Sequence, residues 1–299
     1  MRKTTELTWK PKRVNKAIEL LEAGQPIYCT DAHGGYEEGR EMAQTWADYI
    51  NYDMEHHPYD IAKLQGFMRG LVDGGPTKSR HRTPAVIVVL PVDGLSAAVI
   101  RANAWMIKQV LATGIHGILL THARNPEAVS EFVSASRYPF HKQAVNNGLR
   151  EGLRGNGGQE TAARIWGVSD SEYLAKADTW PLNSDGELLL GLKIEDRHAI
   201  LNAEESTKVP GIGFGEGGLG DMAMSFGYPS WDERSYPQEM ADARARLIAA
   251  CKAAKIAFLH GVRKNDLRKL LDEGVMMVAG AGAEVAAKGR KDTGRKMPW

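Results

Sequence analysis

The feature that most constrains the fold is a series of short apolar runs, each followed by a longer stretch with helical spacing. Eight runs rich in Val, Ile and Leu occur, at 26–30, 47–53, 84–91, 116–122, 188–195, 210–215, 256–260 and 275–280. They are nearly continuous in hydrophobic character and do not alternate, which is typical of parallel strands covered by helices. Segments with helical spacing lie between them, at 36–46, 59–72, 97–113, 126–136, 196–206, 237–254 and 263–273.

Eight such units in 299 residues predict an α/β fold, a (β/α)8 TIM barrel that forms a single domain over 1–299. A doubly wound parallel sheet is the alternative, because a count of strands does not show closure. The stretch 141–187 is too long for one loop and is predicted to be an elaborated loop and helix beside the active site. The basic tail at 286–299 is expected to be flexible and solvated.

Composition excludes several classes of protein. With 38 basic and 37 acidic residues the net charge is +1, which argues against nucleic-acid binding by a basic field. The two cysteines, Cys29 and Cys251, are too few for a disulfide framework or a four-cysteine zinc site. No apolar run approaches the ~18–20 residues that span a bilayer. The basic segment 1–13 lacks the apolar core of a secretory signal, so we expect a cytoplasmic protein without a membrane partner.

Acids and imidazoles follow several of the predicted strands. They occur at 53–57 after the second run, at 121–124 after the fourth, at 193–196 after the fifth and at 217–221 after the sixth. The active site of a (β/α)8 barrel lies at the carboxyl ends of its strands. We therefore expect these side chains to meet at one rim.

Glu195 and Asp221 are the candidate metal ligands. Glu195 closes an apolar strand, and Asp221 follows a glycine-rich turn that can bring the backbone close to a ligand. Two carboxylates with water and substrate oxygens suit Mg²⁺ or Mn²⁺, with Co²⁺ as a third candidate. Read alone, the two acids could also be unrelated, one of them being a helix N-cap.

His56 and Lys193 are candidates for acid–base and electrostatic roles. Imidazole titrates near neutral pH, so His56 could be a general base, although a lone histidine after a strand is more often a hydrogen-bonded structural residue. Lys193 lies two residues before Glu195 and hence on the same face of the strand. It could balance the metal-site carboxylates, stabilise an enolate oxygen, or serve as a plain ion-pair partner.

A glycine-rich motif matches a known cofactor-binding pattern only weakly. Residues 213–218 fit G-x-G-x-x-G, the dinucleotide fingerprint, but the match overlaps the end of a strand deep in the chain. Its register is ambiguous, because neighbouring glycines fit equally well, and such a match is weak. We do not expect NAD binding.

Four short segments, in their order and spacing, resemble the HpcH/HpaI aldolase/citrate lyase family over roughly residues 14–285. They are Asp53-Met54-Glu55-His56, Arg137-Tyr138-Pro139, Ile194-Glu195-Asp196-Arg197-His198-Ala199 and Gly218-Leu219-Gly220-Asp221-Met222. The resemblance implies a divalent-metal aldolase on a (β/α)8 barrel that acts on 2-oxo acids through a pyruvate enolate. It also implies a homo-oligomer, a hexamer in particular.

Roles are carried over only where the residues match. The resemblance implies that Glu195 and Asp221 bind the metal, and that His56 is the acid/base, oriented by Glu55 and Asp53.

Substrate binding is assigned to two further segments. The resemblance implies that the backbone of Gly218, Leu219 and Gly220 holds the substrate carboxylate. His122 and Arg124 complete the predicted substrate-binding residues, and either Lys193 or Arg124 would counter the enolate charge.

Two departures from the family pattern affect the predicted chemistry. The family carries an arginine before the proline at the end of the third strand, where this chain has Leu90-Pro91, and a glutamine where this chain has Lys193. The lysine could compensate for the missing arginine. Leu90, with Trp166 and Trp180, predicts a less polar pocket for a bulky, aromatic aldehyde, unless the tryptophans pack outside the barrel.

The predicted function is metal-dependent retro-aldol cleavage of a hydroxy-2-oxo acid to a pyruvate-like enolate and an aldehyde. Because other reactions pass through a metal enolate, a C–O lyase, a hydratase or a decarboxylase is the alternative. A non-catalytic barrel that serves as a scaffold is the third possibility. The Ala-rich end of the chain is expected to pack on a neighbouring subunit.

Overall fold

The computed structural model describes residues 9–229, 237–263 and 266–299, and within them eight parallel strands close into a barrel. The barrel strands are β1 Ile27–Ala32, β2 Tyr49–Asp53, β3 Ala85–Asp93, β4 Gly117–Thr121, β6 Leu188–Lys193, β7 Phe214–Glu216, β8 Ala257–Gly261 and β9 Met277–Ala279. Each strand pairs with its neighbour in the chain, β9 pairs with β1, and β4 pairs with β6. The predicted (β/α)8 barrel is confirmed, and the pairing of first and last strands excludes an open sheet.

A ninth strand lies outside the barrel. The two-residue β5, Thr179–Trp180, pairs with the beginning of β6, so the fifth strand predicted from the sequence is β6. All eight predicted apolar runs contain or overlap a barrel strand. The sixth is shifted, because 210–213 form a turn before β7 begins at Phe214.

The helices of the described residues cover the outside of the barrel and its amino-terminal end. They are α1 Lys16–Glu22, α2 Tyr36–Met42, α3 Ile61–Asp73, α4 Ala97–Ala112, α5 Pro126–Ser136, α6 Gln159–Trp166, α7 Asp170–Lys176, α8 Arg197–Leu201, α9 Ala203–Thr207, α10 Leu219–Ser225, α11 Gln238–Ala254, α12 Leu267–Glu273 and α13 Gly282–Asp292. The helix predicted at 196–206 is two helices, because Asn202 leaves the helical conformation and its side chain donates to Arg124 O at 2.8 Å. Of the helix predicted at 263–273, residues 264 and 265 lie outside the described residues.

Side chains on the barrel strands alternate between two apolar layers. Ile87 and Val89 of β3 belong to the cluster inside the barrel, whereas Val88 and Leu90 belong to the cluster between the barrel and its helices. This follows from the two-residue period of a strand. Inside, a Cβ at Gly191 would lie 2.1 Å from the Phe214 ring, so only glycine leaves room for that side chain.

The amino-terminal end of the barrel is closed by both ends of the described chain. Ile18 of α1 and Met297 pack into the interior cluster. Asp48, just before β2, is fully buried and forms ion pairs with Arg290 and Arg295. The prediction of a flexible, solvated tail at 286–299 is therefore wrong, since two of its basic residues, Arg290 and Arg295, neutralise a buried carboxylate.

The segment 141–187 also packs at the amino-terminal end. The indole of Trp166 donates to Gly114 O at 2.9 Å, in the turn that precedes β4. Trp180 donates to Glu22 Oε1 at 3.1 Å, at the end of α1. The segment is held there because β5 pairs with the first residues of β6. The helix predicted at 171–178 is present as α7, but the expectation that the segment lies beside the active site is wrong.

No helix among the described residues is long and apolar enough to cross a membrane. Residues 1–8 of the basic segment 1–13 lie outside the described residues. The cytoplasmic location stays a prediction.

Candidate active site

Polar side chains replace apolar ones at the carboxyl ends of the barrel strands, which we call the mouth. By the two-residue period of a strand, Asp31 follows the interior residue Cys29, and Asn51 follows Tyr49. Glu216 follows Phe214 in the same way. Asn51 Nδ2 donates to Asp31 Oδ1 at 2.9 Å. Along each of these strands, the inward-facing side chains thus change from apolar to polar between one interior position and the next.

Glu195, just beyond β6, is the deepest carboxylate of the mouth and is 0% exposed. Its Oε1 accepts a hydrogen bond from the backbone N–H of His122 at 3.5 Å. Its Oε2 lies 3.7 Å from Lys193 Nζ and has no hydrogen-bond partner among the described residues. A buried oxygen without a partner is costly, so this atom is suited to a ligand.

Burial and neighbouring acids shape the titration of this group. Burial raises the pKa of Glu195, Lys193 opposes the effect, and Glu216, Glu55 and Asp221 reinforce it. Burial likewise raises the pKa of Glu216 to about 7, again opposed by Lys193. A bound cation would relieve the repulsion among these carboxylates.

Lys193 is the cation of the cluster. Its ammonium group forms an ion pair with Glu55 and lies within 4.0 Å of Glu195 as well, and it is 8% exposed. Burial lowers the pKa of Lys193, but Glu195, Glu216 and Glu55 raise it by more. The sequence placed Lys193 on the face of Glu195, and the structure brings the two side chains together.

The turn between β7 and α10 lies against the Glu195 carboxylate. A Cβ at Gly218, the residue that caps α10, would lie 2.1 Å from Glu195 Oε2, so only glycine lets the backbone of this turn approach that oxygen so closely. Asp221 lies in the first turn of α10, and its charge raises the pKa of Glu195. Gly218 therefore borders the site, and the predicted binding of the substrate carboxylate by Gly218, Leu219 and Gly220 stays a prediction.

Two sets of side chains could hold a metal ion by the closeness of their ligand atoms. Glu55, His122 and Glu195 form one set, and Asp53, Glu55 and His56 form the other, with ligand atoms within 4.8 Å of one another. Glu195 is common to this geometry and to the predicted ligands. Its buried, unpartnered Oε2 and the acidic side chains around it fit a cation. The role of Asp221 as second ligand stays a prediction.

His122 and Arg124 meet at Asp196 rather than in open space. His122 Nδ1 lies 3.2 Å from Asp196 Oδ2, and Arg124 Nε donates to the same oxygen at 2.9 Å. The hydrogen bond to Asp196 raises the pKa of His122. Asp196 also accepts from the backbone N–H groups of residues 198 and 199 as the N-cap of α8.

The sequence placed Asp196 at the predicted rim without assigning it a role, and it did not identify Glu216 as a site residue. A signal for each was present in the sequence. Asp196 begins a predicted helix directly after Glu195, which is the position of an N-cap. Glu216 is the polar residue that ends an otherwise apolar strand.

Asp53 holds His56 at the rim. Asp53 Oδ2 lies 2.9 Å from His56 Nδ1, and Asp53 Oδ1 accepts from the backbone N–H groups of Glu55 and His56 at 2.8 and 3.1 Å. The His56 side chain is 62% exposed, and Nδ1 lies 3.9 Å from Glu55 Oε2. The structure therefore brings the predicted His56, Asp53 and Glu55 together.

The prediction of an apolar pocket is wrong. Leu90 points away from the mouth, into the cluster between barrel and helices, because it lies one residue out of phase with the interior residue Val89. Trp166 and Trp180 lie at the opposite end of the barrel. The residues at the mouth are polar instead.

A barrel whose mouth collects buried carboxylates, a lysine and histidines has the arrangement of an enzyme active site. The chain belongs to the HpcH/HpaI aldolase/citrate lyase family, whose model matches residues 40–286. The family resemblance seen in the sequence is confirmed, and with it the prediction of an aldolase or lyase.

Two curated relatives are named aldolases. The chain is 27% identical over 269 residues to a hydroxypyruvate/pyruvate aldolase from Sagittula stellata, covering 89% of this chain and 90% of the relative. It is 31% identical over 234 residues to a 2-keto-3-deoxy-L-rhamnonate aldolase from Klebsiella pneumoniae subsp. pneumoniae, covering 78% and 73%.

The fold is shared with solved structures. A HpcH/HpaI aldolase/citrate lyase family protein from Burkholderia cenocepacia superposes with a TM-score of 0.69 at 20% identity, covering 93% of this chain and 97% of the other. A macrophomate synthase superposes with a TM-score of 0.63 at 18% identity, covering 97% and 91%. At these identities the likeness shows the fold alone.

Proposed function

We propose that the protein is a divalent-metal-dependent aldolase that cleaves a hydroxy-2-oxo acid into a pyruvate-like enolate product and an aldehyde. The observation that carries the proposal is the buried, unpartnered Glu195 Oε2, which lies against the glycine turn at Gly218 in a chain of this family. The names of the relatives support the reaction class.

Glu195 and Asp221 would hold the cation, with Glu55 and His122 close to the same space. A mainly carboxylate donor set favours Mg²⁺ or Mn²⁺, whereas an imidazole in the set would admit Co²⁺. When bound, a divalent cation polarises a carbonyl and stabilises the charge of an enolate.

His56 would take the proton of the substrate hydroxyl as the carbon–carbon bond breaks. Because its Nδ1 donates to the Asp53 carboxylate, Nε2 is left as the basic nitrogen. Asp53 is thus a positioning residue that fixes the ring and its tautomer. The position of His56 at the exposed rim supports contact with the aldehyde half of a substrate.

Lys193 is the better of the two candidates for countering the enolate charge. It lies inside the mouth, 3.7 Å from Glu195, whereas Arg124 is engaged by Asp196. A cation at that place supplies the positive charge that the family arginine would bring from the third strand. Leu90 cannot do so, since it packs on the outer side of the barrel.

The polar mouth favours a hydroxylated aldehyde over an aromatic one. Asp31 and Asn51 are hydrogen-bonded to each other at the polar layer and offer donors and acceptors for hydroxyl groups. The two relatives named above are named for hydroxypyruvate and for a deoxy sugar acid, both of which carry hydroxyl groups. We therefore propose short polyhydroxylated 2-oxo acids as the substrate class.

The experiment is a screen of 4-hydroxy-2-oxo acids in the presence of Mn²⁺, following release of pyruvate and of the aldehyde. We expect turnover that EDTA abolishes and that Mn²⁺ or Mg²⁺ restores. Faster turnover of aromatic than of hydroxylated substrates would contradict the proposed substrate class. Full activity after exhaustive removal of metal would contradict the proposed mechanism.

We also propose a homo-oligomer, a hexamer in particular. Exposed apolar side chains on three helices support an interface: Trp105 of α4, Leu201 of α8 and Met224 of α10 are 50%, 63% and 67% exposed. The Ala-rich α13 presents Ala283 to solvent. Light scattering should give a multiple of 32.8 kDa, and a stable monomer would refute the proposal.

A further inference from the structure

A second concave site lies at the amino-terminal end of the barrel, opposite the mouth. It is a cleft of about 220 Å³ that contains five basic side chains and, among the described residues that line it, no acidic one. We call it the basic cleft; its cations are Lys12, Arg13, Arg80, Arg82 and Lys176. Glu22 and Glu187 lie beside Arg13, and Glu172 lies beside Lys176, so the positive excess of the cleft rests on Lys12, Arg80 and Arg82.

Two of the five cations are not used by the fold. Arg13 is paired with Glu22, and Lys176 with Glu172 at 2.8 Å. Arg80 and Lys12, in contrast, form no side-chain ion pair with any described residue. The cleft therefore retains positive charge that a ligand can neutralise.

His116 adds a neutral donor to the cleft wall. The residue is 1% exposed, its ring stacks against Trp166 with centroids 5.9 Å apart, and its Nδ1 accepts the backbone N–H of Val86 at 3.1 Å. The ring proton must therefore reside on Nε2. No acceptor for that N–H occurs in the part of the chain that the structure describes. Burial, which lowers the pKa of His116 to about 3, keeps the ring neutral.

The loop that carries Arg80 is held in place. Arg80 adopts a left-handed conformation with φ 64°, and its N–H donates to Thr77 O at 2.8 Å. Thr77 N–H donates to His81 O at 2.9 Å, and Ser79 Oγ lies 2.9 Å from His81 Nδ1. A guanidinium on such a loop loses less freedom when it binds a ligand.

We infer that the basic cleft binds a phosphate group, either as free phosphate or as part of a small phosphate monoester. Guanidinium groups match phosphate oxygens with paired N–H donors, and a neutral imidazole N–H donates to a third oxygen. The volume of 220 Å³ equals that of about seven waters, which leaves room for a phosphate and a small substituent. Since the cleft and the mouth lie at opposite ends of the barrel, this site is independent of the proposed aldolase activity.

The test is calorimetric titration of the full chain with inorganic phosphate and with glycerol phosphate, at constant ionic strength in chloride. We expect dissociation constants below about 1 mM for at least one of the two. Tighter binding of glycerol phosphate identifies the ester as the ligand, and equal binding identifies free phosphate; both support the site. The inference is overturned if neither compound binds at concentrations up to about 10 mM, tenfold above the expected limit. It is also overturned if succinate, a dianion without phosphate, binds equally well.

Two variants locate the binding. Arg80→Gln with Arg82→Gln should weaken phosphate binding more than about tenfold. The control, Arg268→Gln with Lys269→Gln, removes the same charge from the exposed face of α12 and should leave binding unchanged. Because Arg82 also donates to Ile165 O, the single variant Arg80→Gln is used if the double variant does not fold. Equal loss of binding in variant and control would show non-specific attraction and overturn the inference.

Discussion

Each end of the barrel contains a cluster of charged side chains, but the sign of the charge at the centre of the cluster differs. At the mouth, Glu55 and Glu195 surround Lys193. At the amino-terminal end, Lys16, Arg290 and Arg295 surround Asp48. The number of charges is similar in the two clusters, so number alone does not distinguish a catalytic site from a structural one.

Hydrogen bonding and pKa direction distinguish the two clusters. Asp48 Oδ1 lies 3.0 Å from Arg295 Nη1 and 3.3 Å from Lys16 Nζ, and Oδ2 accepts the Tyr28 N–H at 3.1 Å. Despite burial, these cations hold the pKa of Asp48 at about 2. Glu195 keeps one oxygen without a partner, and its pKa is raised. The charge and hydrogen-bonding capacity of Asp48 are satisfied by the protein itself, whereas Glu195 retains an oxygen that a ligand can bind.

The comparison is tested most strongly by Glu195→Gln. The substitution keeps shape but removes the charge that would bind a cation, so metal-dependent activity should fall by more than about a thousandfold, or ~4 kcal/mol. Titration with Mn²⁺ should show a matching loss of affinity while thermal unfolding changes little. The matched control is Glu160→Gln, whose carboxylate is exposed on α6. Unchanged Mn²⁺ affinity in Glu195→Gln would contradict the assignment of this residue as a ligand.

The opposite end should respond in stability rather than in activity. Asp48→Asn leaves three buried cations without their carboxylate, and breaking a buried pair in this way costs about 3–5 kcal/mol of unfolding free energy. Urea unfolding measures the loss, and the folded fraction should retain normal kcat. Asp272→Asn is the control, because its exposed pair with Arg268 contributes less than about 1 kcal/mol. A large loss of kcat in folded Asp48→Asn would show that the two ends are coupled.

The central cation of the mouth should give a smaller effect than its carboxylate. Lys193→Met removes the charge between Glu55 and Glu195, and we expect kcat to fall about a hundredfold, or ~3 kcal/mol. A divalent cation should bind at least as tightly, since a competing positive charge is gone. Lys288→Met, on the exposed face of α13, is the control. Near-normal turnover of Lys193→Met would remove Lys193 from the mechanism.

The fold was predictable because strands that are buried on both faces are continuously apolar. The eight continuous apolar runs of the sequence correspond to the eight buried strands of the barrel. The mouth was partly predictable for the same reason, since polar residues that end apolar strands must meet at one end. Leu90 shows where the sequence-based prediction fails. The family pattern gives its position in the chain, but the alternation of side chains along β3 determines that it points out of the barrel.

The amino-terminal end was not predictable in the same way. Arg290 and Arg295 look like residues of a solvated tail, and nothing in the local sequence reveals that Asp48, some 240 positions earlier, lies beside them. Segment 141–187 was misplaced for a related reason. Its position depends on a two-residue pairing of β5 with β6, which is too short to recognise in sequence.

The smallest expected effect is the pH dependence of the saturated cluster. The pKa of Asp48 is about 2 in the folded protein and near its ordinary value of 3.8 when unfolded, so the unfolded state takes up the proton first as the pH falls. The stabilisation by Asp48 is therefore complete above about pH 4 and is lost as the pH falls towards 2, a change of about 2 kcal/mol. Other carboxylates titrate in the same window, so the quantity to measure is the difference in unfolding free energy between wild type and Asp48→Asn. That difference should shrink from pH 5 to pH 2, and a constant difference would show that Asp48 is stabilised by packing rather than by its charge.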